Sequence, residues 1–221
     1  MKITDGFLEH GFEQARRALV DIRGRAGLHL APRTITKSLR ARTLSRLKAL
    51  EVIVRRLIVC LAAHLVVGPF RPPLPRPAGA ALAVPEGVED VTESFRALSP
   101  QYNFRLVPAR CALATDWLAA DAGKGRLAPV PGPLPAAPLI ARLNALHAIL
   151  QAPEAAAVRM ARALQQMQAR EEPRPLCLPQ TGSYRLGAEL GIVAAALPGL
   201  IAAALSGWPQ PAPKKGRMDS S

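Results

Sequence analysis

Proline restricts this chain more than any other residue type, because the prolines are both numerous and clustered. The 221 residues include 22 prolines, and many of them lie in the stretches 69–85 and 127–138. A proline ring fixes φ at about −65° and removes the backbone N–H, so these stretches do not suit a helix interior or a central strand. Consecutive prolines favour the extended polyproline II conformation. The distribution therefore predicts helices joined by proline-rich extended linkers, without a single dense core. If a compact unit forms, we expect the N-terminal helices, the 138–172 helix pair and the alanine-rich C-terminus to supply it.

The apolar composition favours a folded, mainly α-helical chain. Hydrophobic residues make up 49% of the sequence, too many for a disordered polar chain, whereas aromatic residues make up only 4%. Much of the apolar content is alanine, which buries little surface. We therefore expect amphipathic helices with little or no β-sheet.

Apolar residues recur at helical spacing in several parts of the chain. The predicted helices cover about 4–22, 34–67, 138–151 and 153–172. The second helix is predicted to start near Thr34 or Thr36. Pro153 suits the first turn of the last helix, so a tight joint between two helices is predicted at 151–154.

These elements divide the chain into four regions. They are an N-terminal basic helical region (1–68), a proline-rich linker region with short helices (69–137), a C-terminal helical region (138–208) and a disordered basic tail (209–221). The linker region contains an acidic cluster of Glu86, Glu89, Asp90 and Glu93. Without an apolar pocket around it, this cluster is interpreted as a solvated face or an intramolecular partner of the basic helix, not as a pair of acid–base catalysts.

The positive charge of the chain is concentrated in one segment. Lys and Arg number 29 against 16 Asp and Glu, a net charge of +13. Such an excess favours an anionic partner, namely phospholipid headgroups, nucleic acid or an acidic protein. Between Arg33 and Arg56 the chain has eight basic residues and one acid, Glu51, so this segment carries seven of the thirteen net charges.

The predicted second helix has a basic side and an apolar side. The residues predicted to contact an anionic surface are Lys37, Arg40, Arg42, Arg46, Lys48, Arg55 and Arg56. The predicted apolar contact face consists of Leu50, Val54, Leu57, Ile58, Leu61 and Leu65. The almost wholly apolar end, 57–67, is shorter than the roughly 20 residues that span a bilayer. A basic helix with such an end can lie in a membrane interface or pack against a partner helix.

The segment 190–208 has the length of a membrane span, but its composition disfavours one. It contains no charged residue and ends at Trp208, a residue type that is enriched at membrane interfaces. Alanine contributes little to insertion, and Pro198 interrupts the middle of the segment. We expect two short packed helices, broken at Pro198.

No catalytic, cofactor or metal site is predicted. The cysteines Cys60, Cys111 and Cys177 form no CxxC pair, and the four histidines lack metal-ligand spacing. No nucleophile-elbow, dinucleotide-binding or complete phosphate-loop signature occurs. The N-terminus lacks the apolar segment of a secretory signal, and free thiols suit a reducing compartment. We therefore expect a cytoplasmic protein that is not an enzyme.

Two functional hypotheses follow from the basic helix. The first is a non-catalytic accessory protein that is peripherally associated with the cytoplasmic face of a membrane through this helix. The alternative is a soluble basic adaptor that binds nucleic acid or an acidic protein partner. Apolar depth beside basic charge favours lipid over nucleic acid, for which the chain shows neither a helix-turn-helix signature nor interleaved aromatic residues.

Two segments carry a resemblance to other proteins. The segments SLRARTLSRLKALEVIVRRLIV (38–59) and APLIARLNALHAILQAPEAAAVRMARAL (137–164) resemble those of small, basic, proline-interrupted bacterial proteins. No activity is attached to such proteins, so the resemblance implies neither a function nor site residues.

Overall fold

Helices make up most of the structure. A computed structural model of the protein describes residues 2–65, 68, 104, 132–175, 177 and 186–208. These residues form five α-helices: α1 (Lys2–Arg25), α2 (Lys37–Ala63), α3 (Ala137–Gln151), α4 (Pro153–Ala169) and α5 (Ala188–Ala204). Most of the predicted linker region 69–137, including its acidic cluster, and the predicted tail 209–221 lie outside the described residues.

The mainly α-helical class is confirmed. A 3-10 turn (Leu28–Leu30) and strand β1 (Thr34–Ile35) connect α1 to α2, and strand β2 (Leu134–Pro135) precedes α3. The two strands pair antiparallel, with Thr34 opposite Pro135. Within the described ranges this two-residue pairing is the whole of the sheet, and it places the start of α3 beside the start of α2.

The helix boundaries follow local signals in the sequence. Thr36 is the N-cap of α2, where its side-chain oxygen accepts a hydrogen bond from the backbone N–H of Leu39 at 3.4 Å. This helix ends at Ala63, before the predicted limit near Val67. The predicted joint between α3 and α4 is confirmed, since only Ala152 separates the two helices and Pro153 lies in the first turn of α4.

The prediction that the chain lacks a single dense core was wrong for the described helices. Buried residues from all five helices form one contiguous hydrophobic cluster. Helix α2 lies at its centre and contacts α1, α3, α4 and α5. Alanines of α1 and α4 such as Ala15, Ala156 and Ala157 are fully buried, so small residues let neighbouring helices approach closely while leucines fill the remaining space.

Gly11 marks the closest approach between α1 and its neighbours. A Cβ atom at this position would lie 2.7 Å from Cδ2 of Leu57 in α2 and 3.3 Å from Cγ1 of Val193 in α5. A side chain at this position would force the end of the Leu57 side chain to shift, so glycine permits the close approach of α1. The same contact places the middle of α5 beside the second half of α2.

The prediction that Pro198 breaks the segment 190–208 into two helices was wrong. Helix α5 continues through Pro198, although a proline in a helix interior costs about 3 kcal/mol or more. Val193, Leu197 and Ile201 lie on one face of the helix and are buried. At roughly 1.5–3 kcal/mol for each large apolar side chain, their burial offsets the missing hydrogen bond.

The C-terminal end of the described chain is anchored in the bundle. Trp208 is buried, and its indole Nε1–H donates a hydrogen bond to the backbone carbonyl of Glu172 at 3.0 Å. This contact connects the residues after α5 to those after α4. Among the described residues, no helix combines the length and the apolar character needed to cross a bilayer.

Candidate anionic-surface site

The end of α1, the connection that follows it and the first half of α2 form one strongly basic region, residues 22–50, here termed the basic segment. It contains no Asp or Glu, and its cations are Arg23, Arg25, Arg33, Lys37, Arg40, Arg42, Arg46 and Lys48. The first turn of α2 also lacks an acid and begins with Lys37. Cations at a helix N-terminus oppose the macrodipole by about 0.3–1 kcal/mol each. The fold therefore concentrates positive charge here.

The predicted anionic-surface residues have different environments in the structure. Lys37 and Arg42 are exposed, and Arg40, Arg46 and Lys48 are half-buried. All five belong to the basic segment and lie in the first half of α2. The remaining two, Arg55 and Arg56, lie in the second half of this helix, where other helices surround it.

Arg55 takes part in an internal charge cluster centred on Glu51. The carboxylate of Glu51 accepts two hydrogen bonds from Arg142 of α3, from Nε at 2.6 Å and from an Nη at 2.7 Å. Arg55 lies 3.6 Å from the same carboxylate, and its guanidinium lies 4.6 Å from the ring centroid of Phe104. Glu51 is only 1% exposed. These contacts give Arg55 a structural role inside the protein.

The prediction that Arg56 contacts an anionic surface does not hold for the folded bundle. Arg56 is 3% exposed, and burial lowers its pKa, an effect that the nearby Cys177 opposes. Burial raises the pKa of the Cys60 thiol to about 12 and also raises the pKa of Cys177. Both cysteines are free, and at neutral pH both thiols are protonated and therefore weak nucleophiles.

The predicted apolar contact face of α2 packs against helices of the same chain. Leu50, Val54, Leu57 and Ile58 are fully buried in the shared core. Leu61 is half-buried, and Leu65, just beyond the end of α2, is exposed. The large apolar side chains that would enter a bilayer are thus already occupied by contacts with α1, α4 and α5.

Sequence reasoning missed an exposed leucine in the connection between α1 and α2. Leu28 is 1% exposed, but Leu30, two residues later, is 76% exposed. The next residue, Ala31, has a left-handed backbone conformation with φ 48°, which costs a residue with a side chain about 1–2 kcal/mol. The turn therefore presents one large apolar side chain to solvent within the basic segment.

A groove between the last turn of α1 and the first half of α2 also lies within the basic segment. It has a volume of ≈ 360 Å³ and is lined by Ile22, Arg25, Ala26, Leu39, Arg42, Thr43, Ser45 and Arg46. The Thr43 hydroxyl donates a hydrogen bond to the carbonyl of Leu39 at 2.7 Å, so its proton is directed into the helix. Guanidinium groups are therefore the strongest donors that line the groove.

No part of the described chain has a metal-binding arrangement, since no three His, Cys, Asp or Glu side chains form a cluster there that could hold an ion. Comparison with known proteins found no matching family model, no matching curated protein and no matching solved structure. The charge, exposure and shape of the basic segment are therefore the features that bear on function.

Proposed function

We propose that this protein is a non-catalytic accessory protein that binds peripherally to the cytoplasmic face of an anionic membrane. The basic segment would lie against the lipid headgroups, and the apolar half of α2 would stay inside the bundle. The observation that carries this proposal is the exposure of Leu30 in a stretch of chain whose charged side chains are all cationic. An exposed apolar side chain in a cationic stretch of chain suits the boundary between headgroups and acyl chains.

The expected binding is reversible and sensitive to salt. Five cations of the basic segment are exposed: Arg23, Arg25, Arg33, Lys37 and Arg42. A Lys or Arg near an anionic leaflet contributes about 1 kcal/mol, and this contribution falls as salt shortens the Debye length. One leucine adds at most about 1.5–3 kcal/mol if it is fully buried. Charge therefore supplies most of the binding, and Leu30 supplies the preference for lipid over other polyanions.

Replacing Leu30 with serine in the full-length protein should weaken binding to vesicles of phosphatidylcholine and phosphatidylserine about tenfold, since the apolar contribution is lost and the charge is kept. Co-sedimentation measures the binding. Ile192→Ser is the matched control, because Ile192 is 70% exposed, similar to Leu30. Ile192 lies in α5 beside Val193, which contacts Gly11 in α1. Gly11 and Arg25 are 14 positions apart in α1, a rise of roughly 21 Å, so the control site lies far from the end of α1 that belongs to the basic segment.

The control variant should bind as tightly as the unchanged protein, and a high-salt wash should release both. The proposal is wrong if Leu30→Ser binds like the unchanged protein, or if vesicles of phosphatidylcholine alone bind equally well. A loss of binding of the same size in both exposed-site variants would also contradict it, because the position of Leu30 would then have no special role.

A soluble adaptor for nucleic acid or an acidic protein is the second candidate. One observation favours it: the burial of Leu57 and Ile58 leaves the exposed part of α2 with charge and little apolar depth. Charge alone supports nonspecific, salt-dependent binding to a polyanion. This candidate predicts that Leu30→Ser leaves the affinity of the full-length protein for a nucleic acid duplex or for polyglutamate unchanged. It also predicts that each of these polyanions displaces the protein from vesicles.

A further inference from the structure

The groove between α1 and α2 has the properties of a site for one lipid headgroup. We propose that it binds an anionic phospholipid with a phosphomonoester headgroup, as in phosphatidic acid, and that its apolar floor contacts the first carbons of the lipid tails. This inference rests on the proposed membrane function and goes beyond it, because it names one lipid class and one pocket.

Arg42 and Arg46 supply the positive charge that the groove offers to an anion. Arg42 and Arg46 are one helical turn apart on α2, so their like charges repel each other. Within the described residues neither of them forms a salt bridge, whereas Arg25 pairs with Asp21 at 2.6 Å. Two adjacent guanidinium groups without a carboxylate between them provide several N–H donors for one anion.

The apolar floor of the groove favours a ligand that carries hydrocarbon. Ile22, Ala26 and Leu39 line it beside the arginines. A free inorganic anion gains nothing from apolar side chains, whereas a lipid headgroup enters with hydrocarbon attached. The volume of ≈ 360 Å³ is within the range of about 300–1,000 Å³ that is usual for small-molecule pockets. An amphiphile therefore satisfies both the charged rim and the apolar floor.

The charge of the headgroup distinguishes phosphomonoester lipids from phosphodiester lipids. A phosphomonoester carries about −1.5 to −2 charges at neutral pH and has three acceptor oxygens. A phosphodiester headgroup has fewer free oxygens and less charge on the phosphate. Because arginine pairs with phosphate oxygens in a bidentate manner, Arg42 and Arg46 together match the monoester better.

The test compares two sets of vesicles adjusted to the same zeta potential, one containing phosphatidic acid and the other phosphatidylserine. The full-length protein should bind the phosphatidic acid vesicles about tenfold more tightly, the effect of one additional charge-assisted interaction. The double variant Arg42→Gln/Arg46→Gln should lose this preference. The matched control Arg23→Gln/Arg33→Gln removes two exposed cations that do not line the groove, so it should weaken binding to both vesicles equally and keep the preference.

The outcomes separate the two proposals. If the protein binds both vesicles equally, or if the groove variant keeps the preference, the groove inference is wrong and the membrane proposal stands. If the protein binds neither vesicle, the membrane proposal fails. Titration with monomeric short-chain phosphatidic acid then tests the groove by itself, and absence of binding in that titration overturns the groove inference. Competition by inorganic phosphate as effective as that by the short-chain lipid would also overturn it, because the floor would then contribute nothing.

Discussion

Replacing Leu57 and Ile58 together with alanine should leave little folded protein at 25 °C. Both side chains are fully buried at the centre of the five-helix core, where α2 contacts its neighbours. Each truncation of a large core residue costs about 2–5 kcal/mol. The sum is comparable with the entire stability of a typical domain, about 5–15 kcal/mol. Circular dichroism during urea titration measures the loss.

The matched control is the double variant Val20→Ala/Ile192→Ala, which truncates two exposed apolar residues in other helices. Its free energy of unfolding should stay within about 0.5 kcal/mol of the unchanged protein. If the Leu57/Ile58 variant kept its stability and lost only vesicle binding, the apolar half of α2 would be a membrane-inserting surface. The burial of this face would then be the wrong account of its role.

The second large effect is expected at the buried carboxylate of Glu51. Glu51→Gln keeps the shape of the side chain but removes the charge that compensates Arg142 and Arg55. Breaking one partner of a buried ion pair costs about 3–5 kcal/mol, because the remaining charge stays buried without compensation. Urea denaturation of the full-length variant, monitored by far-ultraviolet circular dichroism, measures the loss.

The chain provides a matched control for this substitution. The carboxylate of Asp21 lies 2.6 Å from Nε of Arg25, and the carboxylate of Glu51 lies at the same distance from Nε of Arg142. The side chains of Asp21 and Arg25, however, are both largely exposed. Asp21→Asn should therefore change the free energy of unfolding by only about 0–1 kcal/mol. Equal effects of Glu51→Gln and Asp21→Asn would show that burial does not strengthen the Glu51 cluster.

Local signals in the sequence predict much of the fold. The sequence predicts a start of α2 near Thr34 or Thr36, and the joint at Pro153 follows from the restricted φ of proline. The apolar period of α2 also predicts which side chains make contacts. Periodicity shows that a face is covered, but it does not show whether a membrane or other helices cover it.

The rest of the site depends on packing between distant parts of the chain. A helical projection at about 100° per residue places Arg55 and Arg56 away from the face of Val54, and this suggests exposure only if one side of the helix is covered. Helix α2 is covered on several sides in its second half, so both arginines are enclosed. No sequence period distinguishes Leu28 from Leu30, because a short turn determines which of the two points inward.

The continuation of helix α5 through Pro198 also depends on packing between distant parts of the chain. Local propensity favours a break at a proline, but α5 packs against α1 and α2, and its buried residues Val193, Leu197 and Ile201 lie on both sides of Pro198. Tertiary packing over the whole length of α5 outweighs one lost backbone hydrogen bond. Such compensation depends on residues more than a hundred positions away, which a local pattern does not contain.

Hydrogen–deuterium exchange of the full-length protein, with and without anionic vesicles, measures whether the basic segment contacts the membrane while the bundle stays closed. Backbone amides in 25–46 should exchange more slowly with phosphatidylserine-containing vesicles than with phosphatidylcholine vesicles, and amides in 50–63 should keep their slow exchange in both. Faster exchange in 50–63 on binding would contradict the membrane proposal, because it would show that α2 leaves the core. Unchanged exchange in 25–46 would contradict it equally.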